Sequence, residues 1–485
     1  VCGKTEHVDI GDHTVDQITF DKWLASSAGR GYTLYVGGQG SSSPTGGDSQ
    51  TVTDGKYVLT DGNYYLKTGE DGFESNVTIE HPIQIRGNVT ICLNGKWIEN
   101  VGKTTGSVFE VPTDSTLTLT NCTGDGRIKC ENGSGVYVNG GTLNLYSGQI
   151  SNSTEQNVSG SKNTYGGGVY VNSGTFNMYG GVITGNSANY GGGVYVKSGT
   201  FTMYGGTIKN NISSNGSGSS SSGGGVCVEA SGKFIMKNDA SVTANTITFG
   251  SIAGAGVYVN GGEFEMNDNA SVTGNKASNS KGSSGGGVYV NGGTFKMNGK
   301  SKVTGNEATY GNTLNGGGVY VNGGTFEMNN NASVSGNTAN YGGGVYVNSG
   351  TFQMNDGTIG GATAAAANTA KHGGGGVYVK DGKFVMNGPT TSVSGNTATD
   401  NGGGVYVEGG TFTMHDGTIG GGEGAANTAD QGGGVYVSSG TFTMSGGSIT
   451  GNDGNGVYVH NIDNATFTVS GAPTVMRNTR GGAAS

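Results

Sequence analysis

Four aspartates raise the first chemical question. Asp239, Asp268, Asp356 and Asp416 each fall two or three residues after a methionine in a recurring phrase, which would line carboxylates up along one side of the molecule. Paired carboxylates do acid–base work on glycosidic bonds, and clustered ones hold calcium in polysaccharide-degrading sites. The local sequence argues otherwise. Asp356 and Asp416 each precede a glycine, other copies carry Asn, Gly or Lys300 at this corner, and Asp-Gly is turn chemistry. The six histidines (His7, His13, His81, His372, His415, His460) show no metal-ligand spacing. No nucleophile elbow between a strand and a helix is recognisable, and the calcium-binding nonapeptide repeat is missing. The expectation is no catalytic residue, no metal, no cofactor, and no enzyme.

The second set is aromatic. A Val-Tyr-Val triplet recurs, centred on Tyr137, Tyr170, Tyr195, Tyr258, Tyr289, Tyr320, Tyr346, Tyr378, Tyr406, Tyr436 and Tyr458, with Cys227 in that place in a twelfth copy. In a strand the two valines would face inward and the tyrosine outward, giving one aromatic stripe. Two readings stay open. Rings repeating every ~4.8 Å stack and cover the strands. Alternatively, Tyr170 to Tyr436 offer an exposed surface to sugar rings or an apolar protein partner.

These residues need elements to hold them, and the repeat supplies the elements. One copy runs GGGVYVNSGTFNMYGGVITGNSANY from Gly166 to Tyr190, and the next begins at Gly191. Val169–Val171, Phe176–Met178 and Val182–Ile183 are three short apolar runs separated by Asn, Ser and Gly, none long enough for a helix. Between constant Phe and Met the residue varies (Asn177, Thr202, Glu265, Lys296, Glu327, Gln353), as an outward side chain between inward ones does. Self-similarity at this period marks a solenoid. The prediction is an all-β, right-handed parallel β-helix with three short strands per coil, its twelve regular coils spanning roughly 55–60 Å. The glycine triplets turn the chain between strands. The Asn of each Asn-x-Ala (Asn186, Asn275, Asn306, Asn337, Asn396) is either an inward amide ladder or a turn residue bonded to its own backbone.

The same reading divides the chain. Residues 1–51 are a capping segment, with a short helix over Asp16–Ser27 and a flexible stretch from 37 to 51. Residues 52–130 form irregular lead-in coils, with Phe109 aligned on Tyr137, Leu117 on Leu143 and Leu119 on Leu145. Residues 131–478 are the twelve regular coils, and 479–485 a tail at an imposed boundary. Val1 in place of Met, and the abrupt GGAAS ending, suggest a piece of a longer protein whose signal peptide lies upstream. Long insertions at Ser153–Tyr165, Ile212–Ser222, Thr246–Ala253, Lys276–Ser284 and Glu307–Asn315 map to one side, either as a binding side or as solvated loops.

Composition bounds the partners. With 101 glycines among 485 residues, only the periodic Val, Phe, Met and Ile columns separate this chain from a disordered one. The net charge is −9, without a basic cluster, so nucleic acid and anionic membrane are poor partners. No apolar run is long enough for a membrane-spanning helix. Five cysteines make no disulfide scaffold: most read as buried small apolar thiols, with a bridge between coils by one pair among Cys92, Cys122 and Cys130 as the alternative, while Cys2 and Cys227 stand apart. Outward Thr-x-Thr pairs, as at Thr411/Thr413, are too often replaced by Lys or Glu to make a flat ice-binding lattice.

The repeat resembles the right-handed parallel β-helix regions of large adhesin-like surface proteins of anaerobic Gram-positive gut bacteria. The likeness runs from about Lys56 to Met476 and includes the lead-in segments GNYYL (Gly62–Leu66), TICLNGKWI (Thr90–Ile98) and LTLTNCTGDGRI (Leu117–Ile128). It implies a secreted or wall-anchored protein. The expected function is a monomeric, non-catalytic binding rod for host glycans or glycoproteins, including mucin or immunoglobulin. The alternatives are a stalk that displays other domains and a polysaccharide-degrading β-helix enzyme.

Overall fold

The computed structural model describes residues 56–66, 77–102, 106–154, 163–214, 221–248, 254–278, 285–309, 314–422, 424–461 and 464–480, with the backbone of a few two-residue strands outside them. The chain divides into two units, Val1–Asn211 and Ile212–Ser485, built to one plan. Each unit winds as a parallel β-helix, and no α-helix occurs among the described residues. In the first unit Val136–Leu145, Val169–Met178 and Val194–Met203 pair in parallel, with Tyr137, Tyr170 and Tyr195 in register and Leu143, Phe176 and Phe201 likewise. In the second unit Phe264, Phe295, Phe326 and Phe352 stand in register from coil to coil.

There are three sheets per coil, but not the three the apolar runs suggested. Val-Tyr-Val and Thr-Phe-x-Met lie in the same sheet, and in Val319–Met328 and Val345–Met354 they form one unbroken strand. Val182–Thr184 and its equivalents make the second sheet. The third is made by the residues after the Asn, such as Thr246–Ile247, Lys276–Ala277 and Thr338–Tyr341. That third strand is mostly two residues long with an inward Ala, too short and too weakly apolar to show a period.

The inward columns fill the coil. Phe176, Phe295, Phe326, Met297 and Val303 have no exposed surface. Phe rings of successive coils stack at 4.8 Å between Phe264 and Phe295 and again between Phe295 and Phe326, nearly parallel. Burying each such ring contributes about 1.5–3 kcal/mol, which offsets the entropy of ordering so much glycine.

The Asn of each Asn-x-Ala is the inward ladder. In the second unit the Nδ2 of Asn275 donates to Oδ1 of Asn306 at 2.9 Å, Asn306 to Asn337 at 3.0 Å, and Asn337 to Asn368 at 3.0 Å. Each backbone N–H donates to the same oxygen, as from Asn306 to Asn337 at 2.9 Å. The second amide hydrogen reaches a carbonyl of the preceding coil, as from Asn337 to Val303 at 3.0 Å. In the first unit Asn186 donates to Asn211 at 3.0 Å. An amide that both donates and accepts can sit in the core only because every group is used.

Glycine is required at the corner that opens each coil. Gly374 has φ +67°, and a Cβ there would lie 2.7 Å from the Val377 carbonyl oxygen.

Two expectations change at the start of the chain. Phe109 pairs with Val136, not Tyr137, and is fully buried. A one-residue slip exchanges inside for outside, and an apolar Phe holds the inward column. Leu117 and Leu119 pair with Leu143 and Leu145 as read. Ile18–Thr19, inside the expected cap helix, is a strand in parallel register with Tyr64–Tyr65. The rest of that helix and most of the stretch from 37 to 51 lie outside the described residues.

Candidate functional site

The Val-Tyr-Val tyrosines do point away from the coil interior, and they stack. In the second unit ring centroids lie 4.7 Å apart for Tyr289–Tyr320, 5.0 Å for Tyr320–Tyr346 and 4.9 Å for Tyr346–Tyr378, with planes within 11°. The stripe continues through Tyr406 and Tyr436 to Tyr458. In the first unit Tyr137, Tyr170 and Tyr195 meet at tilted or edge-on angles.

Of the two readings left open, the geometry fits the stacked stripe and not the open surface. Tyr195, Tyr258, Tyr289, Tyr346, Tyr378 and Tyr436 are buried, Tyr258 with 4% of its surface exposed, while Tyr170, Tyr320 and Tyr406 are half-buried. Three things cover them: each other's faces, a second row of side chains, and a surface amide ladder. In the first unit Tyr165 packs 4.8 Å from Tyr195; in the second, Tyr341 packs edge-on to Tyr378 at 5.3 Å. On the other flank Asn291 donates to Asn260 at 2.9 Å, Asn322 to Asn291 at 2.9 Å and Asn348 to Asn322 at 2.8 Å. Asn291 also reaches the Tyr258 hydroxyl at 3.3 Å. This burial pushes the Tyr289 phenol up to about 12, and raises Tyr258, Tyr320, Tyr346 and Tyr378 for the same first reason. Rings stacked this closely leave no gap for a sugar between their faces, so the stripe offers only ring edges and hydroxyls.

A second aromatic ladder escaped the sequence reading. Tyr146, Tyr179 and Tyr204 follow the inward Leu145, Met178 and Met203 by one residue and turn outward at the next corner. Their rings stack at 4.5 and 4.9 Å with planes within 8°. Tyr179 is 41% exposed. Its phenol is raised, first by what burial it has and then by Tyr146 and Tyr204 on either side. The signal was present, since this position is Tyr in these copies but Asn267, Asn298, Asn329, Asn355 and Asn387 later. Those later asparagines form an outer ladder of their own, Asn298 donating to Asn267 at 3.0 Å and Asn329 to Asn298 at 3.0 Å.

The four aspartates serve turns. Asp356 and Asp416 accept from the N–H of the following glycine at 2.7 and 2.8 Å. Asp268 has φ +56° and accepts from the Asn238 N–H at 2.9 Å, and Asp239 accepts from Asn269 Nδ2 at 3.1 Å. His372 pairs with Asp400 at 3.0 Å and His415 with the Ser445 hydroxyl at 3.1 Å. Outward charges pair across coils, Lys233 with Glu263 and Lys276 with Glu307 at 3.0 Å each and Lys296 with Glu327 at 3.3 Å. Among the described residues no group of three or more His, Cys, Asp or Glu is placed to hold a metal ion, and no helix is long and apolar enough to cross a membrane.

Cys92 and Cys130 are buried thiols, the reading the sequence favoured for most of the cysteines, and no pair among Cys92, Cys122 and Cys130 bridges coils; Cys122 is disulfide-bonded. Cys227 replaces a tyrosine in the stripe, and burial, with Glu229 beside it, raises its thiol well above the ordinary range. Much of the long insertions (155–162, 215–220, 249–253, 279–284 and 310–313) also lies outside the described residues. Comparison with family models, curated proteins and solved structures finds no match for the chain.

Proposed function

We propose that this is a non-catalytic binding protein of the bacterial cell surface that contacts host glycans or glycoproteins through outward side-chain ladders. The carrying observation is the Tyr146–Tyr179–Tyr204 ladder. It is pre-stacked, presents ring edges and hydroxyls, and has an exposed middle ring where the longer stripe is covered. A rigid aromatic with a polar tip contributes contact area at low entropic cost, which is why tyrosine anchors many recognition surfaces. The aspartates support the non-catalytic part, because one oxygen of each is engaged in a turn or a cross-coil bond. The likeness of the repeat to adhesin-like surface proteins supports the cellular setting.

The test is capture of purified mucin and immunoglobulin by the immobilised chain. Tyr179→Ser and Tyr204→Ser together are expected to weaken capture by about ten-fold while the melting temperature holds. Capture by neither ligand would favour the display stalk. Release of reducing ends or unsaturated products from the glycans would overturn the non-catalytic reading.

A further inference from the structure

The third face of the unit Ile212–Ser485 carries a cleft of ≈ 570 Å3. It is lined by Thr399, Thr428, Asp430, Gln431 and Asp453, with Ala398 and Ala429 between them. The cleft originates in a step in chain length. Five residues separate Asn368 from Gly374 and Asn396 from Gly402, four separate Asn427 from Gly432, and one separates Asn452 from Gly454. Those glycines open successive coils in register: the N–H of Gly375 donates to Gly402, that of Gly403 to Gly432, and that of Gly434, two residues past Gly432, to Asn455, one past Gly454. Thr397, Thr428 and Asp453 are bridge partners on successive coils. Beyond the coil of Asn396 each coil therefore has less chain on this face than the one before, and a recess opens beside Thr399 and Asp430. Gly454, with φ +114°, completes it; a Cβ there would meet the Ala429 carbonyl oxygen at 2.9 Å.

We propose that this recess binds an uncharged segment of a glycan. The carboxylates of Asp430 and Asp453 accept from sugar hydroxyls, while Thr399, Thr428 and Gln431 both donate and accept. Hydrogen bonds to carboxylates are the strong ones, and a few convergent polar groups in a cleft fix a small ligand's orientation. The charges set the selectivity. Among the described residues no lysine or arginine lines the recess, and Asp400, the next carboxylate on this face, is held by His372 at 3.0 Å. A sialylated or sulfated segment would bring its own negative charge against two carboxylates, and like charges in one cleft repel.

The proposal rests on the binding reading above but uses a site in the other unit, so the two can fail separately. The full chain would be titrated by calorimetry with neutral oligosaccharides ending in galactose or N-acetylhexosamine, and with their sialylated and sulfated counterparts. The expected result is binding of neutral forms, with anionic forms at least about ten-fold weaker, and a loss of about ten-fold or more in Asp430→Asn/Asp453→Asn. Asp430→Asn alone serves if the double variant loses its β circular dichroism. Equal or tighter binding of the anionic forms would overturn the proposal. So would neutral binding unchanged in the variants, or no oligosaccharide binding at all. If oligosaccharides fail to bind while mucin capture still depends on Tyr179, the recess fails alone; if capture fails too, both readings fall.

Discussion

At the scale of single residues, the informative contrast is between two asparagine ladders of similar geometry. Asn337 is wholly buried, and its amide joins Asn306, Asn368 and the Val303 carbonyl. Asn322 sits on the surface and joins Asn291 and Asn348 with bonds as short. Removing a buried amide strands its neighbours in a region that water does not reach, whereas surface partners turn to solvent. Asn337→Ala is therefore expected to cost about 2–5 kcal/mol in denaturant unfolding and Asn322→Ala under about 1 kcal/mol. Equal costs would mean that the inner ladder is not a load on the fold. Tyrosine follows the same logic: an outward side chain in a stacked column is not an exposed one, because its own copies cover its faces.

At the scale of the element, the coil depends on corners more than on strand propensity. The strands of the third sheet are mostly two residues long, and a backbone that turns this often needs conformations only glycine takes easily. Gly374 and Gly422 make the comparison. At Gly374 both φ and the 2.7 Å approach to Val377 oppose a side chain, while at Gly422 a Cβ would meet nothing within 4 Å. Gly374→Ala is expected to destabilise by about 1–3 kcal/mol and Gly422→Ala to be neutral or slightly stabilising. Thermal melts of the two variants decide it. Similar melting temperatures would show that the corner tolerates a Cβ.

At the scale of the whole molecule, the stacked tyrosines of the second unit make stability depend on alkaline pH. Tyr258, Tyr289, Tyr320, Tyr346 and Tyr378 are all raised by burial, Tyr289 to about 12. An unfolded phenol ionises near pH 10, so the folded state binds more protons above that point. The stabilisation these groups share is complete below about pH 10 and is lost as pH rises toward 12 and beyond. A pH titration is expected to show flat stability through neutral and mildly alkaline conditions. Phenolate absorbance from the stripe should then appear together with loss of β circular dichroism. Phenols that ionise near pH 10 in a still-folded chain would show that the stripe is open to water.

The sequence alone determined the solenoid, its inward Phe, Met and Val columns and the outward direction of the tyrosines. It could do so because a fixed period copies one set of local preferences twelve times, and alternation in a strand assigns each residue a side. It left undecided whether the Asn faced inward, since one amide serves a turn or a ladder equally well until the coil above is in place. It left open whether the outward rings at Tyr258 and Tyr289 were stacked and covered or exposed, and read Phe109 one residue out of register. It passed over Tyr146, Tyr179 and Tyr204, whose meaning lies in their alignment rather than in any one copy. Tertiary structure decided these points for one reason. Burial, stacking and the recess at Asp430 and Asp453 are properties of neighbouring coils, and a single copy of the repeat carries no record of what its neighbour covers or leaves open.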